Sequence, residues 1–255
     1  MRVTVLQYAT AWHNPDENLT YIREVCTSLK GKTDMLLLHE MFNTGYTMVP
    51  QELPPACDVH SIVYLTETAA MSGILIGGSM PTFREGRFYN TFQFISGQGV
   101  MHRYDKIHLF GMAGEHRVYA AGQEAGICDF MGFHILPLIC YDLRFSYLTY
   151  TRPYPDLIVY TANWPVARVA HWKSLLVARA IENQCYVIGI NRTGTDPNGY
   201  VYPGASCIIG PNGEYISELQ DETGFVTATL DLDELKLFRQ KLPFLQDRND
   251  AFLVY

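Results

Sequence analysis

The hydrophobic and polar positions follow two different periods at the start of the chain. Residues 2–9 alternate and are rich in β-branched side chains, which is typical of a strand. Apolar residues then recur at helical spacing over 19–29, after an Asn14-Pro15 pair that supplies a cap and a proline for the first helical turn. The next run, 34–40, is apolar between polar ends and predicts a strand buried on both faces.

The same patterns continue to the end of the chain, with no linker-like change of composition and no short repeat. The further predicted helices lie at 59–72, 166–183 and 231–240. The further predicted strands lie at 73–80, 88–96, 99–105, 136–140, 157–161, 185–191 and 224–230, with a hairpin turn at Pro211-Asn212-Gly213. These elements predict one α/β domain with mixed sheets over 1–255, in which 243–255 is an extended C-terminal arm.

Composition narrows the class of protein. Of 255 residues, 48% are hydrophobic and only 18% are charged, which excludes a disordered chain. The shortage of charge favours a surface covered by another subunit, and a net charge of −7 argues against a general nucleic-acid binder. We see no export signal, no apolar run that would span a membrane and no C-x-x-C pair among the six cysteines. We therefore expect a cytoplasmic protein with reduced thiols.

Three reactive side chains stand at the ends of predicted strands. Glu40 closes D-M-L-L-L-H-E, Lys106 closes V-M-H-R-Y-D-K, and Cys140 closes H-I-L-P-L-I-C. Ligands of α/β sheets bind outside the carboxyl ends of the strands, so these three could share one pocket. Each alone is weak evidence, because cysteines are usually core residues and charged strand ends are usually solvated.

The surroundings of Cys140 strengthen the functional interpretation. Asp142 and Arg144 follow an apolar strand at once, so the chain must leave the core there in a turn that resembles a nucleophile elbow. A helix N-terminus and the Lys106 ammonium would both favour a thiolate. Glu40 could carry protons, while Lys106 and the Tyr141 backbone N–H could stabilise an oxyanion. Such a set suffices to transfer the acyl group of a small amide substrate to water, without a metal or a cofactor.

Several motifs carry a resemblance to a known family, the nitrilase superfamily of carbon–nitrogen hydrolases. They span nearly the whole chain: L-L-L-H-E ending at Glu40, K-I-H-L-F (106–110), L-I-C-Y-D-L-R-F (138–145), N-W-P (163–165), A-R-A-I-E-N-Q (178–184) and Y-x-G-x-S (202–206). The resemblance implies a four-layer αββα sandwich of two mixed sheets flanked by helices, assembled as a homodimer or higher oligomer. It also implies that Glu40 is the general base, Cys140 the nucleophile and Lys106 the stabiliser of the tetrahedral intermediate. A second glutamate of the family corresponds best to Glu115.

The segments E-M-F-N-T-G-Y-T-M (40–48) and N-W-P with H-W (171–172) resemble the omega-amidase branch of this superfamily. This resemblance implies hydrolysis of the ω-amides of small dicarboxylates, such as 2-oxoglutaramate and 2-oxosuccinamate, with release of ammonia. The distant carboxylate of such a substrate needs a cation or several donors. Tyr46, Trp164 and Arg168 are our candidate binding residues, and Arg117 is another cation near the site. For Arg144 we expect an ion pair with a neighbouring carboxylate and not a contact with the substrate.

Other interpretations remain open. One departure from the family is His39, which stands where many relatives have proline before the glutamate. A nitrilase or an N-carbamoyl amidase would use the same residues, and a non-catalytic interaction protein could have kept the fold. A papain-type Cys–His protease is disfavoured because its local signatures are missing, and His39-Glu40 lacks the second histidine of a zinc motif. The G-M-A-G-E-H segment (111–116) suits a mobile lid better than a phosphate loop.

Overall fold

Two six-stranded sheets form the centre of the protein, which the computed structural model describes over residues 1–249. The first sheet has the order β14 (Gly224–Thr229), β1 (Arg2–Gln7), β2 (Met35–Leu37), β3 (Leu75–Arg84), β4 (Arg87–Ser96), β5 (Gly99–Asp105). The second has the order β13 (Tyr215–Glu218), β12 (Cys207–Ile209), β9 (Tyr186–Ile190), β8 (Leu157–Thr161), β7 (Phe133–Ile139), β6 (Cys128–Phe130). A small hairpin joins β10 (Thr193–Thr195) to β11 (Val201–Pro203).

Both sheets are mixed, and their strands pair in the same pattern. In the first sheet β1, β2 and β3 run parallel to one another, while β14, β4 and β5 pair antiparallel on either side of them. In the second sheet β7, β8 and β9 are the parallel strands, and β6, β12 and β13 are antiparallel. The parallel centres explain why all five residues of β8 are buried, since strands of this kind are covered on both faces.

Helices cover the outer faces of the two sheets. In β2 the side chains of Met35 and Leu37 face the second sheet, whereas Leu36 packs against helices α1 (Pro15–Leu29) and α2 (Cys57–Ser72). Helix α3 (Val169–Asn183) lies so close to β9 that a Cβ on Gly189 would come within 2.4 Å of Leu176 Cδ1. The fold therefore confirms the predicted αββα sandwich of two mixed sheets.

Two of the four α-helices in residues 1–249 begin at a capping side chain, and the other two, α2 and α3, do not. At α1 the side chain of Asn14 accepts a hydrogen bond of 3.3 Å from the Glu17 N–H, and Pro15 occupies the first helical position, as predicted. The last α-helix, α4 (Leu232–Lys241), begins at Asp231, whose carboxylate accepts from two backbone N–H groups. No helix of residues 1–249 is both long enough and apolar enough to cross a membrane.

Several predicted boundaries were wrong. The strand predicted over 34–40 ends at Leu37, because the chain then turns away from the ladder, and Met41 has a φ of 48°. The helix predicted from 166 starts with a 3-10 turn before α3. The short strands β6, β10 and β11 were not predicted. The C-terminal arm stays a prediction: residues 244–247 form a 3-10 helix within it, and 250–255 lie outside the described residues.

Candidate active site

Cys140 stands at the junction between strand β7 and a short 3-10 helix, Cys140–Arg144. Its φ of 46° is a left-handed conformation that non-glycine residues rarely adopt. The carboxylate of Asp142 accepts the Ile139 N–H at 3.0 Å and holds the turn from the inside. The backbone therefore turns sharply at the cysteine, as the elbow prediction requires, although the helix that follows is a five-residue 3-10 helix and not an α-helix.

Glu40 lies just beyond β2 with a fully buried side chain. Its Oε1 accepts hydrogen bonds from Lys106 Nζ and from Asn90 Nδ2, each at 2.8 Å. Its Oε2 accepts from the backbone N–H of Asn163 at 3.0 Å and from Asn163 Nδ2 at 3.2 Å. Four donors thus hold this carboxylate in one orientation, which is the satisfaction that a buried charge needs.

Lys106 links two buried carboxylates. Its ammonium donates to Glu40 Oε1 at 2.8 Å and to Glu115 Oε2 at 2.9 Å, and the side chains of all three residues have no exposed surface. Glu115 also accepts from the Tyr46 hydroxyl at 3.2 Å and from the Phe110 N–H at 2.6 Å. Burial and the charges of Glu115 and Glu40 raise the pKa of Tyr46, so its hydroxyl stays a hydrogen-bond donor.

The electrostatics of the site favour a protonated cysteine. Burial raises the pKa of the Cys140 thiol well above its ordinary value, and the charge of Glu40 raises it further. The Lys106 charge and a hydrogen bond from the Asn163 backbone oppose this shift without cancelling it. The expectation of a resting thiolate was therefore wrong, because the carboxylates and burial outweigh the lysine. For Lys106, burial would lower the pKa, yet Glu115 and Glu40 raise it overall, so the ammonium persists.

This protonation state predicts how Cys140 reacts with iodoacetamide. Because only the thiolate is alkylated, the rate should rise about tenfold per pH unit and should still be rising where an ordinary cysteine levels off, near its pKa of 9.0. In Glu40→Gln the profile should move to lower pH, since the Glu40 charge raises the thiol pKa. Peptide mapping of labelled Cys140 measures the pH profile in the wild-type protein and in Glu40→Gln. A rate that no longer rises above neutral pH would contradict the protonated state of Cys140. A Glu40→Gln profile that does not move along the pH axis would contradict the effect of the Glu40 charge on the thiol pKa.

A cavity of about 120 Å³ opens in front of Cys140. Its walls are mainly aromatic, with two guanidinium groups among them: the lining includes Tyr46, Phe110, Met112, Cys140, Tyr141, Arg144, Asn163, Trp164, Arg168, Tyr200 and Tyr202. The Arg144 guanidinium lies 4.9 Å from the Trp164 ring, and that of Arg168 lies 5.5 Å from the Phe110 ring. The cavity can thus receive a small substrate with a planar or apolar body and an anionic end.

The structure brings most of the candidate residues together. Lys106, Glu40 and Glu115 form one buried cluster, the charges of which act on Cys140. Tyr46, Tyr141, Trp164 and Arg168 line the cavity, whereas Arg117 is exposed and lies outside the lining. Arg144 was expected to pair with a carboxylate. Its nearest polar contact is instead His171 Nδ1 at 3.3 Å.

Sequence reasoning missed two residues and left His39 open. Asn90 and Asn163 supply three of the four hydrogen bonds to the Glu40 carboxylate. Asn163 stands in the N-W-P motif, from which no role for it was predicted, and Asn90 is an isolated asparagine that carries no chemical signature in a sequence. His39 Nε2 lies 2.8 Å from Thr10 Oγ1, and its ring packs on Tyr8 with centroids 4.6 Å apart. Burial and the Arg192 charge lower the His39 pKa. In the described part of the chain, His39 is not among the hydrogen-bond donors to the Glu40 carboxylate.

Comparison with known proteins identifies the family to which this fold and this cluster of buried charges beside a cysteine belong. The carbon–nitrogen hydrolase family model matches residues 2–240. The chain therefore belongs to the carbon–nitrogen hydrolase family, and it is a hydrolase that acts on carbon–nitrogen bonds other than peptide bonds. This agrees with the resemblance that the motifs showed.

Individual relatives match over nearly their full length. Omega-amidase YafV of Yersinia enterocolitica is 38% identical over 100% of this chain and 98% of its own. The 2-oxoglutaramate amidase of Bacillus subtilis is 34% identical over 98% of each chain. A crystal structure of a CN-hydrolase superfamily protein from Xanthomonas campestris, with an arsenic adduct in its active site, superimposes with a TM-score of 0.91 at 33% identity. It covers 100% of this chain and 99% of that one.

Proposed function

We propose that the protein is an omega-amidase, which hydrolyses the terminal amide of small dicarboxylate monoamides such as 2-oxoglutaramate and 2-oxosuccinamate. The single observation that carries this proposal is the cavity, where a thiol at the end of β7 faces aromatic walls and two guanidinium groups. A dicarboxylate monoamide presents an amide at one end and a carboxylate at the other, and the cavity lining holds both a thiol for the amide and guanidinium groups for the carboxylate. The relatives named omega-amidase and 2-oxoglutaramate amidase support the same assignment.

In the proposed mechanism Cys140 attacks the amide carbonyl. The thiol is protonated at rest, so its proton passes to Glu40 as the sulfur–carbon bond forms. Glu40 is suited to accept this proton because its charge acts directly on the Cys140 thiol, and its Oε2 is held by the Asn163 backbone N–H at 3.0 Å. The negative charge that develops on the carbonyl oxygen is stabilised by the Lys106 ammonium and the Tyr141 N–H.

Collapse of the tetrahedral intermediate completes the first half of the reaction. Glu40 returns the proton to the leaving nitrogen, the carbon–nitrogen bond breaks, and ammonia departs from a thioester on Cys140. A water molecule then attacks the thioester, gives one proton to Glu40, and the carbon–sulfur bond breaks as this proton returns to sulfur. Glu115 acts in support, because it holds the Lys106 ammonium in place at 2.9 Å.

Arg168 is the proposed partner of the distant substrate carboxylate. Replacing it by methionine keeps much of the side-chain volume but removes the charge. We expect KM for 2-oxoglutaramate to rise about 10–100-fold, since a charge-assisted hydrogen bond contributes about 1.5–3 kcal/mol. A neutral amide of the same length should show no such change. Arg117→Met is the matched control, because Arg117 is exposed and lies outside the cavity. Equal losses for the charged and the neutral amide would contradict the assignment.

The activity itself is tested by a panel of substrates. Ammonia release is measured side by side with 2-oxoglutaramate, 2-oxosuccinamate, a simple aliphatic nitrile and an N-carbamoyl amino acid. We expect the two oxo-acid amides to give the highest kcat/KM. Consumption of the nitrile or the carbamoyl compound alone would replace the proposal by a nitrilase or an N-carbamoyl amidase. Turnover of none of the four would favour a non-catalytic interaction protein.

We also propose that the protein forms a homodimer or a higher oligomer in the cytoplasm. Ile181 on α3 is 52% exposed, and Tyr215 and Ile216 on β13 are each 42% exposed. The turn at Gly213 packs directly against Ile181, so these apolar side chains belong to one face. Sedimentation velocity should give a mass of at least twice 29.0 kDa. A monomer at micromolar concentration would contradict this expectation.

A further inference from the structure

One buried carboxylate contacts the chain on both sides of the candidate lysine. Asp142 has no exposed surface, and its Oδ2 accepts from the Tyr104 hydroxyl at 2.7 Å. Its Oδ1 accepts from the backbone N–H of His108 at 3.0 Å and lies 2.9 Å from His108 Nδ1. Tyr104 and His108 stand two residues before and two residues after Lys106. Asp142 therefore holds the segment that carries the ammonium.

The same carboxylate holds the segment that carries the sulfur. Asp142 Oδ2 also accepts the Ile139 N–H at 3.0 Å, so the residue before Cys140 and the residue two positions after it are joined across the elbow. Lys106 follows β5 in the first sheet, whereas Cys140 follows β7 in the second sheet. The four hydrogen bonds of Asp142 thus connect the ends of strands that belong to different sheets.

We propose that Asp142 and His108 are positioning residues that set the distance between the Lys106 ammonium and the Cys140 sulfur. This inference rests on the proposed amidase function. The apolar side chains between the sheets determine their spacing only through non-directional packing, whereas charge-assisted hydrogen bonds impose a defined geometry. An error of about 1 Å between reacting groups can cost about 100-fold in rate.

His108 is itself held from its outer side. Its ring stacks on Phe145 with centroids 3.7 Å apart, and its Nε2 lies 2.6 Å from the hydroxyl of Tyr147. Tyr147 is 45% exposed, so this outer hydrogen bond is the weaker restraint. The two ring nitrogens therefore have different partners, and variants can remove one interaction without the other.

The experiment compares His108→Asn, His108→Gln and Tyr147→Phe with the wild-type protein. An asparagine amide can occupy the place of Nδ1, whereas a glutamine amide reaches the place of Nε2. We expect His108→Gln to lower kcat for 2-oxoglutaramate about 10–100-fold with little change in KM, because the reacting groups are misplaced while the cavity is intact. His108→Asn should recover most of kcat, and Tyr147→Phe should resemble the wild type. Tyr104→Phe removes the hydroxyl that donates to Asp142, so it should also lower kcat with little change in KM.

A second measurement does not depend on turnover. The Lys106 charge lowers the Cys140 pKa, so a lysine that drifts away from the sulfur should shift the pH profile of iodoacetamide alkylation upward in His108→Gln but not in His108→Asn. Far-UV circular dichroism and thermal unfolding establish that each variant is folded. Equal activity of the asparagine and glutamine variants, or a loss confined to KM, would overturn the inference. A wild-type protein that releases no ammonia would instead overturn the proposed function.

Discussion

Replacing Cys140 by alanine should reduce ammonia release to the uncatalysed background while the variant still binds its substrate. Loss of a nucleophile lowers turnover by about 10⁴–10⁶-fold in enzymes that work through a covalent intermediate. The fold should persist, because the left-handed φ of 46° at this position is imposed by the Asp142 turn and not by the sulfur. Ammonia assays measure the loss of turnover, and calorimetric titration with 2-oxoglutaramate measures the binding that remains.

A second cysteine provides the matched control. Cys128 lies in the edge strand β6, where it is 6% exposed and outside the cavity lining. Cys128→Ala should therefore keep full turnover, apart from a modest loss of stability from the smaller side chain. Mass spectrometry of a quenched reaction should detect the acylated Cys140 peptide in the wild-type protein only. Ammonia release by Cys140→Ala at more than a trace level would exclude the thioester mechanism.

The protonated thiol changes what reactivity tests can show. Inertness towards iodoacetamide at neutral pH is a natural criterion for a non-catalytic protein with this fold. Here burial and the Glu40 charge keep Cys140 protonated, so slow alkylation is expected of an active enzyme too. In the proposed mechanism the sulfur becomes nucleophilic when a bound carbonyl accepts its attack and Glu40 accepts its proton in the same step. Substrate turnover is therefore the discriminating measurement.

Strands could be predicted where the buried residues are also the ones that form hydrogen bonds with a neighbouring strand. The run Leu157–Thr161 was predicted with its observed bounds, because it follows the polar Asp156 and forms a strand that is covered on both faces. Apolar patterning reports burial, however, and not pairing. Residues 38–40 are buried like a strand, but the chain leaves the ladder after Leu38, whose N–H still donates to Gly77, and Glu40 then contacts Asn163. The three-residue strands β10 and β11 are too short to show any period.

The site was predictable only as far as reactive side chains stand at strand ends. Glu40, Lys106 and Cys140 could be selected in this way before any resemblance was considered. The contributions of Asn90 and Asn163 arise from tertiary contacts that no local pattern records. The charge state of the thiol was mispredicted for a related reason. It depends on the sum of burial, two carboxylates and one ammonium, and this sum is defined only once the chain is folded.

Replacing Lys106 by methionine should cause the largest loss of stability of any single change at the site. It leaves the carboxylates of Glu40 and Glu115 buried without the ammonium that both contact, at 2.8 and 2.9 Å. Removal of one partner from a buried ionic cluster typically costs about 3–5 kcal/mol. Turnover should also be lost, because the developing oxyanion would face two carboxylates without a cation. Urea unfolding at neutral pH measures the first effect, and the ammonia assay measures the second.

The double variant Lys106→Met/Glu115→Gln separates charge from packing. It removes one positive and one negative charge, so the cluster regains its original net charge. We therefore expect its free energy of unfolding to lie well above the value obtained by adding the losses of the two single variants, with a coupling of about 1–3 kcal/mol. Turnover should stay absent, since the ammonium is still missing. Strictly additive losses would show that Lys106 stabilises the fold by packing alone, and turnover by the double variant would show that another group holds the oxyanion.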